Sequence, residues 1–365
     1  MSTSAPSQST ESLPDIGLEA EIGQMLLVGF RGLTADTDDP VVRAIGEGQV
    51  GGVILFDVDG PSESPKRNIA SPDQLRELVR NLHEANPGSP LLVTVDQEGG
   101  KVRRLKEKHG FTATPSARHL GRLNDLSTTR KHALTTAQTL ADMGIGLNLA
   151  PSVDVDVYPD NPIIGGPERS YSSDPELVVA HATEFIRAHH EHGVLCALKH
   201  FPGHGSSRED THVGFTDVTE TWSEAELLPF SALIGRNLAD AVMTAHVFNS
   251  HLDPKFPATL SAPTVTGILR DRLGFDGVVL ADDMGMGAIA LSYGFETALE
   301  AAIGAGVDIL PLANQTEYEG DIAKRAAAVI LRLVTDKKVT RERIHESYRR
   351  IYRLKERLHP AATRN

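Results

Sequence analysis

Short apolar runs alternate along the chain with longer segments in which apolar residues recur at helical spacing. The runs predict eight strands, at 25–30, 52–56, 91–95, 146–150, 194–199, 241–246, 277–281 and 307–311. Each run is almost continuously apolar, which is typical of strands that are covered on both faces of a parallel sheet. The pattern therefore indicates repeated strand–helix units.

The segments between most of these runs predict helices, at 73–85, 128–143, 175–192, 223–236, 262–273 and 296–304. Three of them end near a glycine suited to the C′ position, namely Gly144, Gly193 and Gly306. Eight such units in one chain predict an α/β fold, a single-domain (β/α)8 TIM barrel. A doubly wound open sheet is the alternative, but no glycine-rich dinucleotide loop follows the first strand.

The two ends of the chain differ from the repeating part. Residues 1–17 are rich in Ser, Thr and Pro and predict a disordered tail, whereas 18–360 form the predicted barrel. Near the C-terminus, apolar residues recur every three or four positions and predict a helix that closes the barrel. These residues are Ile344, Tyr348, Ile351, Leu354 and Leu358.

Composition narrows the choice of partners. The 365 residues carry a formal charge of −13, which disfavours nucleic acid and anionic membrane surfaces as partners. No secretory signal and no apolar run long enough to span a bilayer are present, so a cytoplasmic location is expected. The single cysteine, Cys196, lies in an apolar run and predicts a buried side chain. A monomer or weak homo-oligomer without a cofactor is expected.

Ionisable residues follow five of the predicted strands. They are Asp96, Asp154 with Asp156, Lys199, His246 and Asp282. Active sites of such barrels form where strands end and strand-to-helix loops begin. This convergence therefore predicts a polar active site at one mouth of the barrel.

Asp282 and Asp283 follow the seventh run directly. A carboxylate in this place can attack an electrophilic carbon and form a covalent intermediate. The alternative for either residue is an N-cap of the following helix. We assign the nucleophile to Asp282 and a supporting or capping role to Asp283.

The segment KHFPGHGSSREDTHVG, which begins at Lys199, carries the most chemical information. Asp210 and His212 lie two residues apart in it. A carboxylate bonded to one imidazole nitrogen fixes the tautomer and raises the basicity of the other nitrogen. Such a histidine can donate and accept a proton near neutral pH. The alternative for an isolated pair of this kind is a polar surface loop.

These motifs resemble those of glycoside hydrolase family 3, in particular its β-N-acetylglucosaminidase branch. The resemblance rests on KHFPGHG followed by D-T-H, and it extends over about residues 20–315. DQEGGKVRRL, NLAPSVDVD, NPIIG…ERSYSSDP, MTAHV…DP…PATLS and GFDGVVLADDMGM resemble family segments in the same order.

The resemblance implies a retaining enzyme that removes terminal β-linked GlcNAc from muropeptide or chito-oligosaccharide fragments. Asp282 would be its nucleophile, and His212 paired with Asp210 its acid/base. Asp96, Arg169, Lys199 and His200 would hold the sugar hydroxyls, with Asp154 and His246 as secondary contacts. Most retaining enzymes use two carboxylates; a histidine acid/base is a feature of this branch.

Two features depart from the family pattern. Extra residues in GGPERSY separate the NPIIG turn from Arg169, which leaves the reach of this arginine open. The chain also stops after the barrel, whereas family β-glucosidases usually have a second domain that supplies a glutamate acid/base. That difference favours the single-domain acetylglucosaminidase branch.

Three other functions fit parts of the pattern. A metal-dependent barrel hydrolase could use His200, His204, Asp210 and His212, or the HHEH run at 189–192. A sugar-binding barrel without activity would keep the same mouth, although every expected catalytic position is filled. Transfer of the glycosyl group to phosphate is also open, because a histidine repels an incoming anion less than a carboxylate does.

Overall fold

The computed structural model describes residues 13–86, 90–211 and 214–358. Eight parallel strands lie at the centre of this part of the molecule. In chain order they are β1 (Leu26–Gly29), β2 (Gly52–Leu55), β3 (Leu92–Val95), β4 (Leu147–Asn148), β5 (Leu195–Phe201), β6 (Ala241–Thr244), β7 (Val278–Leu280) and β8 (Leu310–Leu312). Each predicted run overlaps one of these strands, although β5 and β8 extend past the predicted ends at 199 and 311.

The strands pair in sequential order and close on themselves. From β1 to β7 each strand pairs in parallel with the next, and β1 also pairs with β8. A parallel bridge between Leu280 and Ile309 joins β7 to the start of the last strand segment. The predicted (β/α)8 barrel is therefore confirmed, and all strand ends that carry ionisable residues face one mouth.

Helices surround the barrel. They are α1 (Leu18–Gln24), α2 (Pro40–Gly46), α3 (Pro72–Glu84), α4 (Ala117–Leu123), α5 (Leu126–Asp142), α6 (Pro175–Glu191), α7 (Leu228–Gly235), α8 (Gly287–Tyr293), α9 (Phe295–Ala305), α10 (Ile322–Thr335) and α11 (Arg341–Glu356). Capping explains several boundaries. Ser71 accepts a hydrogen bond from Gln74 N at the start of α3, and Gly306 has a φ of 110° after α9.

Two predicted helices differ from the observed elements. The segment 223–236 is divided into a 3-10 turn at Glu224–Leu227 and then α7, in whose first turn Pro229 has no backbone N–H to donate. The segment 262–273 is a π-helix at Pro263–Arg272. Helices α1, α2, α4, α8 and α10 lie outside the predicted set.

The closing helix behaves as its pattern predicts. Ile344, Tyr348, Ile351 and Leu354 on α11 are all buried, together with Leu358 just beyond it. Cys196 on β5 is also fully buried. Of the predicted tail, residues 1–12 lie outside the described residues, while 13–17 have no helix or strand. Among the described residues, no helix has the length and apolar character needed to cross a bilayer.

Candidate active site

Four charged side chains form a network of ion pairs near the ends of β3 and β5. They are Asp96, Glu98, Arg104 and Lys199. Lys199 Nζ donates to Asp96 Oδ1 at 2.7 Å and lies 2.7 Å from Glu98 Oε1. Arg104 Nη2 donates to the other oxygen of Asp96 at 3.1 Å. Lys199 is almost fully buried. The ammonium group is therefore held by two carboxylates in a place where water cannot screen the attraction.

Arg169 joins this network from the loop that follows β4. Its Nε and Nη2 donate to the two oxygens of Glu98 at 2.9 and 2.7 Å, a bidentate pair. Nη2 also lies 2.9 Å from His200 Nε2. Arg169 therefore does reach the mouth of the barrel, despite the extra residues before it.

The extra residues form a turn between Asn161 and Arg169. Asn161 Oδ1 accepts from the backbone N–H groups of Ile163 and Ile164, and Arg169 N donates to Ile164 O at 3.0 Å. Glu168 adopts a φ of 65° at the end of this turn. The chain thus returns to the barrel just before Arg169.

Asp154 and His200 form a buried pair beside the network. Nδ1 of His200 lies 2.7 Å from Asp154 Oδ2. Because a guanidinium can only donate, Arg169 requires Nε2 of His200 to be the acceptor, so Nδ1 carries the proton and donates it to Asp154. Asp154 is fully buried and also accepts from the backbone N–H groups of His200 and His204. It therefore orients His200 and has no surface with which to touch a ligand.

Proton affinities in the network follow from these contacts. Burial alone would raise the pKa of Asp96, but Lys199 and Arg104 hold this pKa well below its usual range. Burial would likewise raise the pKa of Glu98, and Arg169 and Lys199 lower it. Burial opposes protonation of Lys199, but Asp96 and Glu98 raise its pKa. All of these groups are consequently charged near neutral pH.

Asp282 lies two residues beyond the end of β7 and is partly exposed. Its Oδ1 accepts from Asp283 N at 2.8 Å. The carboxylate of Asp283 accepts from Gly285 N at 3.2 Å and from Ala313 N at 2.9 Å, which ties this loop to the end of β8. Helix α8 begins later, with Met286 at its N-cap. Neither aspartate therefore caps that helix.

His246, beyond β6, lies against the same loop. Its Nε2 is 3.0 Å from the backbone carbonyl of Asp283, and its Nδ1 is 2.8 Å from Thr259 Oγ1. A carbonyl can only accept, so Nε2 carries a proton. Through this bond the ring positions the backbone next to Asp282.

The loop after β5 passes close to α8. Ala288 N, in the first turn of that helix, donates to Thr211 O at 3.3 Å, and Gly214 N donates to Asp210 O at 3.2 Å. Thr211 is buried. His212 lies outside the described residues, so its pairing with Asp210 stays a prediction.

The histidine clusters that suggested a metal have other partners. His190 Nε2 lies 2.7 Å from Asp240 Oδ2, and His189 Nε2 lies 3.0 Å from Asn148 Nδ2. Burial lowers the pKa of His204 to about 4, with the nearby His200 acting in the same direction. Within the ranges that the structure describes, no three His, Cys, Asp or Glu side chains form a group that could hold a metal ion.

Two members of the network were not among the residues predicted from the sequence. Glu98 bonds both Arg169 and Lys199, and Arg104 bonds Asp96. Glu98 lies two positions after Asp96, and side chains two apart share a face of an extended chain. That alternation is the signal from which it could be found. The role of Arg104, within a run of basic residues, depends on the fold of the 97–103 hairpin.

Many hydrolases have a closed (β/α)8 barrel with buried acid–base pairs and further carboxylates at its mouth. Comparisons with known proteins define the class of hydrolase. Residues 17–354 match the model of the glycosyl hydrolase family 3 N terminal domain. A β-hexosaminidase of Xylella fastidiosa strain M23 is 40% identical over 295 residues, which is 78% of this chain and 82% of that protein.

Solved structures agree with this relationship. A family 3 β-N-acetylglucosaminidase from Paenibacillus sp. FPU-7 superposes with a TM-score of 0.85 at 37% identity, over 94% of this chain and 62% of that one. This chain thus spans less than two thirds of the Paenibacillus protein. A β-N-acetylhexosaminidase from Beutenbergia cavernae gives a TM-score of 0.83 at 32% identity, over 94% and 99% of the two chains.

The protein is a glycoside hydrolase. It belongs to glycosyl hydrolase family 3, and the resemblance to the β-N-acetylglucosaminidase branch is confirmed.

Proposed function

We propose that this enzyme is a retaining exo-β-N-acetylglucosaminidase that releases terminal β-linked GlcNAc. The observation that carries the proposal is the network of Asp96, Glu98, Lys199, Arg169 and His200 at the barrel mouth. It offers fixed charged donors and acceptors, which suit the hydroxyl groups of one sugar ring. The names of the related hexosaminidases support the choice of sugar.

In this proposal Asp282 attacks the anomeric carbon while the bond to the leaving-group oxygen breaks. His212, held by Asp210, gives its proton to that oxygen. A water molecule then attacks the glycosyl-enzyme, loses a proton to His212 and frees the Asp282 carboxylate. Two displacements at the same carbon give net retention of configuration.

The surrounding residues have supporting tasks. His246 and the Asp283 carboxylate fix the loop that carries Asp282, through contacts with Asp283 O and Ala313 N. Asp154 orients His200, so that the ring presents an unprotonated Nε2 to Arg169. A rigid arrangement of this kind lowers the cost of reorganisation during the reaction.

The decisive experiment compares release of p-nitrophenol from β-GlcNAc and β-glucoside derivatives by wild type and Asp282→Ala, with and without phosphate. We expect cleavage of the GlcNAc derivative, and a loss of several orders of magnitude in the variant. A sugar phosphate product would indicate phosphorolysis. Full activity in Asp282→Ala would refute the assignment of the nucleophile.

The natural substrate needs a separate measurement. We propose muropeptide or chito-oligosaccharide fragments, with a place in peptidoglycan recycling and a cytoplasmic location. Comparing kcat/KM for GlcNAc joined to a muramyl residue with that for chitobiose separates the two classes. A preference of at least about tenfold, equal to about 1.4 kcal/mol of transition-state binding, would assign the aglycone.

A further inference from the structure

Glu226 is a buried carboxyl group that the proposed reaction does not use. It lies in the 3-10 turn Glu224–Leu227 before α7, and only 1% of its surface is exposed. Its Oε2 accepts from Gly205 N at 3.0 Å and from Ser206 N at 3.3 Å. It therefore holds the backbone of the turn that links β5 to the Asp210 segment.

The turn is shaped to receive this carboxyl group. Gly203 has a φ of 125°, and a Cβ atom at this position would lie 2.6 Å from Glu226 Cβ. On the opposite side, a Cβ atom on Gly205 would lie 1.7 Å from Val155 O. The backbone is thus clamped between Glu226 and the loop after β4, and only glycine fits at both places.

Two carboxyl groups together accept hydrogen bonds from three successive backbone N–H groups of the turn. Asp154 accepts from His204 N at 2.8 Å, and Glu226 accepts from the next two. Asp154 also acts electrostatically on Glu226. Burial raises the pKa of Glu226 to about 7, against the hydrogen bonds from the turn. The neutral acid keeps a carbonyl oxygen, so hydrogen-bond acceptance persists in either protonation state.

The turn is connected to the predicted acid/base segment through His204. Its Nε2 lies 3.2 Å from Thr211 Oγ1, and Thr211 is the residue after Asp210. Thr211 O in turn accepts from Ala288 N beside the Asp282 loop. A shift of the 203–206 backbone would therefore displace Thr211 relative to the nucleophile.

We propose that Glu226 is a positioning residue, which fixes the 203–206 turn as a hydrogen-bond acceptor and so places Asp210 and Thr211, the residues just before the proposed acid/base His212. This inference rests on the proposed function, since it assigns the acid/base to His212. Glu226 acts through the turn and does not touch substrate.

Three substitutions separate the contributions of Glu226. Glu226→Gln keeps the length and one acceptor oxygen but removes the charge. Glu226→Asp keeps the charge but is one methylene shorter, so it cannot reach both N–H groups. Glu226→Ala removes the acceptor altogether. Glu224→Gln, on the same turn but exposed, is the matched control.

The readout is kcat/KM on two β-GlcNAc substrates, one with a good leaving group (2,4-dinitrophenol) and one with a poor leaving group (a second sugar). A good leaving group needs no proton from the enzyme. A misplaced acid therefore slows only the second substrate, and displacement by about 1 Å can cost about 100-fold. We expect Glu226→Ala and Glu226→Asp to lose about 10- to 100-fold on the sugar aglycone and less than about threefold on dinitrophenol. Glu226→Gln should stay within about threefold of wild type on both.

Equal losses on both substrates, or no loss in Glu226→Asp, would overturn the proposal. Circular dichroism shows which variants are folded, and the Asp and Gln pair carries the test if Glu226→Ala is not. Inactivity of wild type on both substrates would instead refute the proposed function.

Discussion

Neutralising Glu98 should destabilise the barrel far more than the same change on the surface. The substitution Glu98→Gln removes a carboxylate that receives two hydrogen bonds from Arg169 and lies 2.7 Å from Lys199 Nζ. The side chain of Glu98 is 5% exposed and that of Lys199 is 2% exposed. Solvent therefore cannot replace the lost charge, and both cations keep their protons.

The magnitude follows from this burial. Breaking a buried ion pair by removing one partner costs about 3–5 kcal/mol, since the remaining charge is left uncompensated. At an unfolding entropy of about 2.1 cal/mol/K per residue, a barrel of this size should lose roughly 4–7 °C in Tm. Denaturant unfolding and calorimetry of both proteins measure the two quantities.

Glu224→Gln is the control for this prediction. Glu224 also makes a bidentate pair with an arginine, Arg272, but both side chains are more than half exposed. An exposed pair contributes about 0–1 kcal/mol, so the control should change little. Adding Lys199→Met to Glu98→Gln removes the excess cation and should recover part of the loss, as a double-mutant cycle would show. If Glu98→Gln costs no more than Glu224→Gln, the network does not depend on buried charge balance.

Three further predictions concern other parts of the barrel. Burial lowers the pKa of Lys355 to about 7, below its value in the unfolded chain. Above pH 7 the unfolded chain therefore binds more protons than the folded protein, and the free energy of unfolding should rise from pH 7 towards pH 10. Lys355→Met should abolish that rise in urea titrations at several pH values. It should also cost about 1–3 kcal/mol for the acceptor Gln24 Oε1, whereas Gly51 O keeps its hydrogen bond from Leu92 N. Gly205→Ala should reduce kcat/KM by at least about tenfold, because its Cβ would collide with Val155 O. Gly235→Ala, where an added Cβ would meet no described atom within 4 Å, should not; equal effects would argue against the clamp. Arg67→Lys should lower the free energy of unfolding by about 2–4 kcal/mol in denaturant titrations, because lysine cannot donate to the carbonyls of Phe30, Ala313 and Asn314 at once. A change below about 0.5 kcal/mol would contradict this prediction.

The strands could be predicted because each is buried on both faces. Runs such as GVILF and VLCALK show this burial directly, and the observed strands lie within or beside them. The predicted run at 146–150 shortens to two paired residues, β4, before Pro151, which has no N–H to offer a neighbouring strand. The position of a strand can thus be predicted from its own residues, whereas its length depends on the residues that follow it.

Arg169 shows what local patterns cannot provide. Its position depends on a turn held by Asn161, whose Nδ2 also donates to His204 O and Gly205 O from a different loop. Contacts between loops of β4 and β5 have no periodicity in the sequence. The spacing before Arg169 therefore left its reach open, and only the fold brings its guanidinium to Glu98 and His200.

Charge balance at the mouth bears on what the site can hold. Among the described residues, the network contains the carboxylates of Asp96, Glu98 and Asp154 and the cations of Arg104, Lys199 and Arg169. Since these charges cancel, a bound ion would leave one charge uncompensated in a buried place, at a cost of several kcal/mol. A neutral polyol adds no charge and can still exchange hydrogen bonds with the members that reach the mouth. The balance therefore favours an uncharged sugar over phosphate in this part of the site.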